Sequence, residues 1–306
     1  MSNPQQDADD LKKAFQGMGC DKKAIIQIIA NRTNSQRQAI KECYKSSYGR
    51  DLITDLKKEL SGNLEDAVIA LFYTPVEYDC EQLHKAMKGI GTDEGTLIEI
   101  IASRPNWLLK QIKEQYKIKY GKELEDVIKK ETSGDLQRLL ISLLQCNRSE
   151  NTHINQSDWE AKAKELFDAG EAKWGTDSEV FNKIFTLSSP MELVGISKAY
   201  HKITVLEAIN KEFSGHVKEL LHSIVYAIIS PSEYFATRVE KAIKGWGTND
   251  NLLIRILVSR DEIDMPQIKQ YYKQLYGRDM LEAIKGDCSG AYRDLLIELA
   301  GINLFY

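Results

Sequence analysis

The sequence predicts an all-α protein built from four copies of one five-helix module. Three short motifs recur four times in the same order, and the segments between them carry apolar residues at the 3- and 4-residue spacing of amphipathic helices. No alternation typical of β-strands runs for a useful length. A chain of 306 residues is long enough for several such modules.

Three motifs define the copies, which are numbered 1 to 4 in chain order. The first reads QGMGCDK (16–22), KGIGTDE (88–94), KWGTDSE (173–179) and KGWGTND (244–250). The last reads KKELSG (57–62), KKETSG (129–134), NKEFSG (210–215) and KGDCSG (285–290). A Tyr-Gly motif lies between them in copies 1, 2 and 4 and is worn to YHKIT (200–204) in copy 3.

The spacing of the copies is uneven at one place. Equivalent positions lie 72 residues apart between copies 1 and 2 and between copies 3 and 4, but 84 apart between copies 2 and 3. The excess falls on a polar segment without apolar periodicity, which predicts a linker and a two-plus-two arrangement of the copies. The predicted segments are a short tail at 1–7, the linker at 146–158, and copies at 8–75, 76–145, 159–230 and 231–306.

Helices of different character are predicted within a copy. In copy 2, TLIEIIASR (96–104) is apolar on nearly every side, as expected of a buried helix, whereas NWLLKQIKEQYKIKYG (106–121) is amphipathic. Segments 123–131 and 135–145, together with the helix before the first motif, complete the five. Glycine stands at the later junctions, where helices end.

Composition and charge exclude several functions. The formal net charge of −4 argues against nucleic acid, and it also opposes binding to an anionic membrane by charge alone. No apolar stretch is long enough to span a bilayer, and the polar, acidic N-terminus is unlike a secretory signal. Five scattered cysteines without a CxxC pair indicate free thiols in a reducing compartment, so a cytoplasmic protein is expected.

The first motif predicts a loop that binds a hard cation. Its glycines let main-chain carbonyls converge on one point, and calcium accepts such neutral oxygen ligands together with a carboxylate. An acid follows at a matched distance, 42 residues from Gly89 to Glu131 as in copies 1 and 4, and 39 residues from Lys173 to Glu212 in copy 3. The alternative is a tight turn whose Thr or Asp caps the next helix. One copy alone would favour that turn, but four copies with matched acids favour the site.

KGIGTDE, GRDLITDLKKELSG, GEAKWGTDSE and KGDCSG resemble the repeats of the annexin family, and the resemblance runs from about residue 8 to 303. It implies a slightly curved disc of four five-helix repeats, with calcium loops on the convex side and phospholipid as the partner. Carried over residue by residue, it implies three carbonyls and one carboxylate per calcium: Phe15, Gly17 and Gly19 with Glu59; Met87, Gly89 and Gly91 with Glu131; Gly170, Lys173 and Gly175 with Glu212; Ile243, Gly245 and Gly247 with Asp287.

The copies depart unequally from the family pattern. In copy 1, Cys20 stands where Thr is usual and Lys22 replaces an acid. In copy 3, Lys173 replaces the first glycine, and Ser178 replaces an acid that would support a minor accessory site. We therefore expect copies 2 and 4 to bind calcium best, copy 3 next and copy 1 least.

Membrane binding is expected to follow from the metal. Three carbonyls and one carboxylate make a weak calcium site, so a phosphate oxygen of an anionic, phosphatidylserine-like lipid would complete the shell, and each ligand would raise the affinity of the other. Trp174 and Trp246 lie inside two loops, where contact with the bilayer interface is favoured over burial. The protein would be peripheral on membranes when calcium rises. Self-association there and a cytoskeletal partner are left open.

Charged residues on apolar helices predict a polar seam. Glu99 and Arg255 occupy equivalent positions of copies 2 and 4, which suggests an ion pair across the centre, with Asp79 a further candidate. The alternative is a local partner for each, such as Arg104 or Arg260.

An enzyme is not expected, because the five histidines are scattered and HExxH, GxSxG and phosphate-binding glycine motifs are missing. The remaining alternative is a helical-repeat scaffold that binds proteins without calcium.

Overall fold

The structure is a computed structural model that describes residues 3–16, 19–152, 155–172, 174–200, 203–245 and 247–301. Every regular element within these ranges is a helix, which confirms the predicted all-α class. Each copy contributes five helices, as predicted for the module.

Copies 1 and 2 have closely matched helices. In copy 1 they are α1 (Pro4–Ala14), α2 (Lys22–Ala30), α3 (Asn34–Tyr48), α4 (Leu52–Glu59) and α5 (Gly62–Leu71). In copy 2 they are α6 (Pro75–Ala86), α7 (Glu94–Ser103), α8 (Asn106–Tyr120), α9 (Leu124–Glu131) and α10 (Gly134–Leu144). Helical structure begins at Pro4, inside the predicted tail, because Asn3 caps the first turn and proline is well suited to a first helical position.

Copies 3 and 4 follow the same order. In copy 3 the helices are α11 (Gln156–Ala169), α12 (Ser178–Leu187), α13 (Pro190–Ala199), α14 (Val205–Glu212) and α15 (Gly215–Ile229). In copy 4 they are α16 (Pro231–Ile243), α17 (Asp250–Arg260), α18 (Met265–Tyr276), α19 (Met280–Asp287) and α20 (Gly290–Gly301).

The worn Tyr-Gly motif of copy 3 has a structural consequence. In the other copies a left-handed glycine ends the third helix, as Gly121 does at φ +65° after the 15 residues of α8. In copy 3 the equivalent helix α13 has only 10 residues, and Tyr200 ends it in an extended conformation at φ −69°. A residue with a side chain adopts the left-handed conformation less readily than glycine, so α13 ends without a left-handed residue at its C-cap.

The second helix of a copy is buried, as predicted. On α7 the side chains of Leu97, Ile98, Ile100 and Ile101 are all at most 1% exposed. Burial of a helix on every side places its N-terminus, and the loop before it, firmly against the rest of the copy.

The chain divides into two compact units of two copies each, but the linker does not separate them. Unit 1 comprises residues 1–75 and 235–306, and unit 2 comprises residues 76–234. Copy 1 therefore packs with copy 4, with α2 against α20 and α5 against α17, and copy 2 packs with copy 3, with α7 against α15. This pairing corrects the inference that the extra residues mark the boundary between modules.

The linker is instead part of unit 2. The Ser149 N–H donates to the carbonyl of Leu187 (2.8 Å), and the Arg148 guanidinium donates to the carbonyl of Ser188 (3.0 Å). The Asn106 amide in turn donates to the carbonyl of Arg148 (2.8 Å). These bonds join the end of α12 to the start of α8 through the linker.

Among the described helices, none is both long and apolar enough to cross a bilayer.

Candidate functional site

The loop between the first and second helix is closed in the same way in all four copies. The main-chain N–H of an Asp or Asn donates to the carbonyl of the alanine that ends, or nearly ends, the first helix. The four bonds are Asp21 to Ala14 (2.9 Å), Asp93 to Ala86 (2.8 Å), Asp177 to Ala169 (2.8 Å) and Asn249 to Ala242 (2.7 Å). The copy 3 loop holds one residue more than the others between these two points.

The same Asp or Asn also caps the second helix. The Asp93 carboxylate accepts from the main-chain N–H of Thr96 (3.0 Å), and Asp21, Asp177 and Asn249 make equivalent caps. The alternative of a capped turn therefore accounts for the acid of the motif. It does not account for the glycines or for the threonine.

The glycines hold conformations that other residues rarely adopt. Gly19, Gly91, Gly175 and Gly247 have φ angles of +86°, +85°, +83° and +92°. Gly89 and Gly245 are also left-handed, at +109° and +130°. A Cβ at any of these six positions would meet no heavy atom within 4 Å, so the loop main chain lies open on one side. The predicted ligands Gly17 and Lys173 lie outside the described residues.

The first predicted carbonyl of each loop lies directly after the first helix, or, for Ile243 in copy 4, on its last residue. Met87 and Ile243 anchor their loops with side chains that are 6% and 7% exposed. Phe15 caps α1 and packs its ring edge-on against Tyr44 at 6.3 Å. Buried side chains fix the main chain from which the loops depart.

The four predicted carboxylates share one structural position. Glu59, Glu131, Glu212 and Asp287 are each the last residue of the eight-residue fourth helix of their copy. A Ser-Gly turn follows, in which the glycine has φ between +57° and +61° and opens the fifth helix.

The loop and the carboxylate meet within a copy, and the threonine of the loop makes the contact. In copy 2 the Thr92 hydroxyl lies 3.2 Å from the Glu131 carboxylate and 3.2 Å from the Glu131 carbonyl. In copy 4 the Thr248 hydroxyl donates to the Asp287 carboxylate and lies 3.3 Å from its carbonyl. In copy 3 the Thr176 hydroxyl donates to the Glu212 carboxylate.

Gly170 gives copy 3 a second point of contact. A Cβ at this position would lie 3.2 Å from both Cγ and Cδ of Glu212 and 3.4 Å from the Phe181 ring. The absence of a side chain thus leaves room for the Glu212 carboxylate beside the main chain of Gly170.

Copy 1 differs at the threonine position. The Cys20 thiol donates to the main-chain carbonyl of Glu59 (3.4 Å). Burial raises the pKa of this thiol, and the nearby Glu59 charge raises it further. Copy 1 thus has a weak sulfur donor where the other copies have a hydroxyl.

The predicted donor set is of a kind that fits calcium. It consists of main-chain carbonyls on left-handed glycines and one carboxylate, which are the hard, largely neutral oxygens that this ion accepts. The loop tip is the position between the two glycine positions of a loop. Its side chain projects fully into solvent in copies 2 and 3, where Ile90 is 109% exposed and Trp174 is 105% exposed. Sequence reasoning selected Trp174 and missed Ile90, although the 84-residue spacing relates the two. Trp246 lies outside the described residues.

Two of the predicted seam residues, Asp79 and Arg104, form a clamp within copy 2. The Asp79 carboxylate on α6 accepts two hydrogen bonds from Arg104, the residue directly after α7. The bonds come from Nε (2.6 Å) and Nη2 (2.9 Å). Burial alone would lower the pKa of Arg104, but the charges of Asp79 and Glu99 raise it above its usual value. Glu99 in unit 2 and Arg255 in unit 1 are buried, and their pairing stays a prediction.

The comparisons with known proteins all point to one family. The Annexin family model matches residues 6–71, 78–143, 161–224 and 234–299. Human annexin A7 is 44% identical over 299 residues, which cover 97% of this chain, and the chain spans 61% of that relative's length. The solved structure of annexin III has a TM-score of 0.95 at 38% identity and covers 99% of this chain and 95% of that one. Calcium-bound annexin (Sm)1 has a TM-score of 0.87 at 32% identity, covering 98% and 90%.

The family model matches four times, once on each copy of the module. Relatives similar in sequence and in structure belong to the same family. The chain therefore belongs to the annexin family, which is known for calcium-dependent phospholipid binding.

Proposed function

We propose that the protein binds anionic phospholipid membranes in response to calcium, through a carbonyl loop and a distal carboxylate in each copy. One observation carries the proposal. In copies 2, 3 and 4 the loop threonine lies against the acid that ends the fourth helix, 36 to 39 residues later. Loop and carboxylate therefore face one place, where a calcium ion would be shared between them.

Charge explains why the metal is needed. The chain carries 45 acidic and 41 basic residues, so it is mildly repelled by an anionic surface. A calcium ion held by three neutral carbonyls and one carboxylate keeps net positive charge and open coordination positions. Lipid phosphate oxygens would fill those positions, and calcium and lipid would then strengthen each other's binding.

The copies would contribute unequally. Copies 2 and 4 combine two described left-handed glycines with a threonine-held acid, whereas copy 3 has Lys173 in place of the first glycine. Copy 1 lacks the hydroxyl contact. Occupancy would therefore fall in the order copies 2 and 4, then 3, then 1, and binding through several weak sites at once would multiply their affinities.

The loop tips would add an apolar contact. Ile90 and Trp174 are fully exposed beside the carbonyl loops, and large exposed apolar side chains of this kind are favoured at the bilayer interface. Trp246 occupies the equivalent position of copy 4. Contact of these residues with the headgroup region would add affinity without adding ions.

The proposed role is therefore binding without a catalytic step, in a cytoplasmic protein that becomes peripheral on phosphatidylserine-like membranes when calcium rises. The similarity to a calcium-bound annexin supports the choice of ion.

Flotation with phosphatidylserine-containing liposomes tests the proposal. We expect binding in calcium and release in excess chelator. Combined Glu131→Gln and Asp287→Asn substitutions should raise the calcium concentration required, whereas Glu59→Gln should change it little. Equal flotation of the unmodified chain with calcium and with chelator would refute the proposal.

A further inference from the structure

One position of the loop separates copy 1 from the other three copies. Cys20, Thr92, Thr176 and Thr248 are equivalent in the repeat, and each lies directly before the Asp or Asn that caps the second helix. Three of the four side chains are hydroxyls that contact the distal carboxylate. The fourth is a thiol that donates its hydrogen bond to the main-chain carbonyl of Glu59.

The threonine holds its acid at two atoms. Thr92 Oγ1 lies 3.2 Å from Glu131 Oε2 and 3.2 Å from the Glu131 carbonyl oxygen, and Thr248 repeats both contacts with Asp287. A hydroxyl has one proton to donate and can share it between two such acceptors. The arrangement restrains the side chain relative to its own main chain and directs it toward the loop.

A carboxylate held in this way keeps its capacity to bind metal. Its two oxygens present about four lone-pair sites, so one hydroxyl leaves the remaining sites for a cation. Groups that orient a metal ligand without touching the metal are a general feature of metal sites, and their loss typically lowers metal affinity roughly 10- to 100-fold.

Apart from Lys22, copy 1 keeps the other parts of the arrangement that the structure describes. Gly19 has the left-handed φ of +86° seen at Gly91 and Gly247, Asp21 caps α2, and Glu59 ends α4. The thiol of Cys20 is a weaker donor than a hydroxyl, and its 3.4 Å bond is directed to the Glu59 carbonyl. The Glu59 carboxylate therefore lacks the restraint that the threonine provides elsewhere.

We propose that the loop threonines are positioning residues for the calcium carboxylates, and that Cys20 is the residue that makes copy 1 the weak site. This inference rests on the proposed function, because it concerns the affinity of the same sites. It adds that copy 1 is a nearly complete site that one substitution strengthens.

The experiment isolates one copy at a time in the full chain. One background keeps only the copy 2 carboxylate and carries Glu59→Gln, Glu212→Gln and Asp287→Asn. The other keeps only the copy 1 carboxylate and carries Glu131→Gln, Glu212→Gln and Asp287→Asn. Thr92→Val and Thr92→Ser are compared in the first background, and Cys20→Thr in the second. Cys43→Ser serves as the matched control, because Cys43 is a half-buried cysteine on α3, away from the loops.

Two readouts are taken in reducing buffer: the free calcium that gives half-maximal sedimentation with phosphatidylserine vesicles, and the rise in Tm that calcium causes without lipid. Thr92→Val should raise the half-maximal calcium roughly 10- to 100-fold, and Thr92→Ser should retain the parent value. Cys20→Thr should lower the half-maximal calcium over a similar range, and Cys43→Ser should leave it unchanged.

The outcomes are distinct. Equal effects of Thr92→Val and Thr92→Ser, or no gain from Cys20→Thr, would overturn the positioning role while leaving the proposed function intact. If calcium changes neither sedimentation nor Tm in the background that keeps only copy 2, the carboxylate assignment is refuted, and the positioning role with it. Tm in chelator and helical content by circular dichroism show whether Thr92→Val folds; if it does not, the Cys20→Thr arm decides.

Discussion

Asp79 and Arg104 are joined by two parallel hydrogen bonds of 2.6 and 2.9 Å, and the same clamp occurs 72 residues earlier. There Arg32 donates to both carboxylate oxygens of Asp7 at 2.7 Å. Each clamp ties the first helix of a copy to the residue that ends or follows the second. In copy 4, Arg260 instead lies 4.4 Å from the ring of Phe235, the residue equivalent to Asp79. The Asp-Arg clamp is thus shared by copies 1 and 2.

Removing one partner of the copy 2 clamp should strongly destabilise the protein. Arg104 and Asp79 are 7% and 3% exposed, so Arg104→Met would leave a buried carboxylate without its two hydrogen bonds, at a cost of about 3–5 kcal/mol. Arg32→Met should cost less, because the Arg32 side chain is 22% exposed and the copy 1 pair is therefore less completely removed from water. Urea-induced unfolding followed by circular dichroism measures both losses. Equal losses would contradict the role assigned to burial.

Stability should depend on pH through a buried pair of unit 1. Arg37 donates to Asp261 at 3.0 Å, and burial raises the pKa of Asp261 to about 6 despite the arginine. Between the unfolded pKa near 3.8 and this value, the folded state binds more protons than the unfolded state. The contribution of Asp261 to the free energy of unfolding should therefore fall by on the order of 3 kcal/mol as pH rises from 4 to 7.

Asp261→Asn removes this titration, so the pH profile of the variant is the control. We expect the Tm of the unmodified protein to drop relative to that of the variant as pH rises through this window. Parallel Tm profiles for the two proteins would show that Asp261 titrates near its ordinary value.

A side chain at a left-handed loop glycine should weaken calcium binding. Gly91 has φ +85° with open space around it, so Gly91→Ala strains the main chain without a steric clash, at roughly 1–2 kcal/mol. Relaxation of that strain would move the loop carbonyls from the ligand positions. Gly286→Ala adds the same methyl group on helix α19, where nothing lies within 4 Å, and should leave calcium binding unchanged. Calcium titration in the presence of lipid distinguishes them, and equal half-maximal concentrations would count against carbonyl ligation.

The loop tips should affect membrane binding but not calcium binding in the absence of lipid. Ile90→Ser and Trp174→Ala remove fully exposed apolar side chains from the loops, so vesicle binding at saturating calcium should weaken. Trp107→Ala is the matched control, because Trp107 is 59% exposed at the start of α8, beyond the far end of the loop-bearing helix α7. If Trp107→Ala weakens vesicle binding as much as Trp174→Ala does, the loops are not the membrane-facing surface.

The repeat spacing was enough to predict the helices and the pairing of loop with acid. It worked because the motif residues are fixed by main-chain geometry: Gly91 needs a left-handed φ, Asp93 caps α7, and Glu131 ends α9 before a Ser-Gly turn. Local conformation of this kind is visible in residue type and spacing. The same spacing relates Ile90 to Trp174, 84 residues later.

Contacts that depend on packing could not be predicted in the same way. The hydrogen bond from Thr92 to Glu131 joins residues 39 apart, and it depends on how α9 lies against the loop. The pairing of copy 1 with copy 4 depends on which helix faces bury one another, as α5 and α17 do, and the chain order gives no sign of it. The excess residues of the linker suggested the wrong boundary because a polar segment can also pack within a unit, as Arg148 and Ser149 do.

Calorimetric titration with calcium, with and without phosphatidylserine vesicles, tests the central claim most directly. If lipid phosphate completes the coordination of a loop-bound ion, the vesicles must raise calcium affinity by the same factor by which calcium raises lipid affinity. We expect weak binding without vesicles and a marked increase with them, and the Glu131→Gln and Asp287→Asn double variant should lose most of that increase. Identical calcium isotherms in the two conditions would contradict the claim that calcium bridges this protein to the membrane.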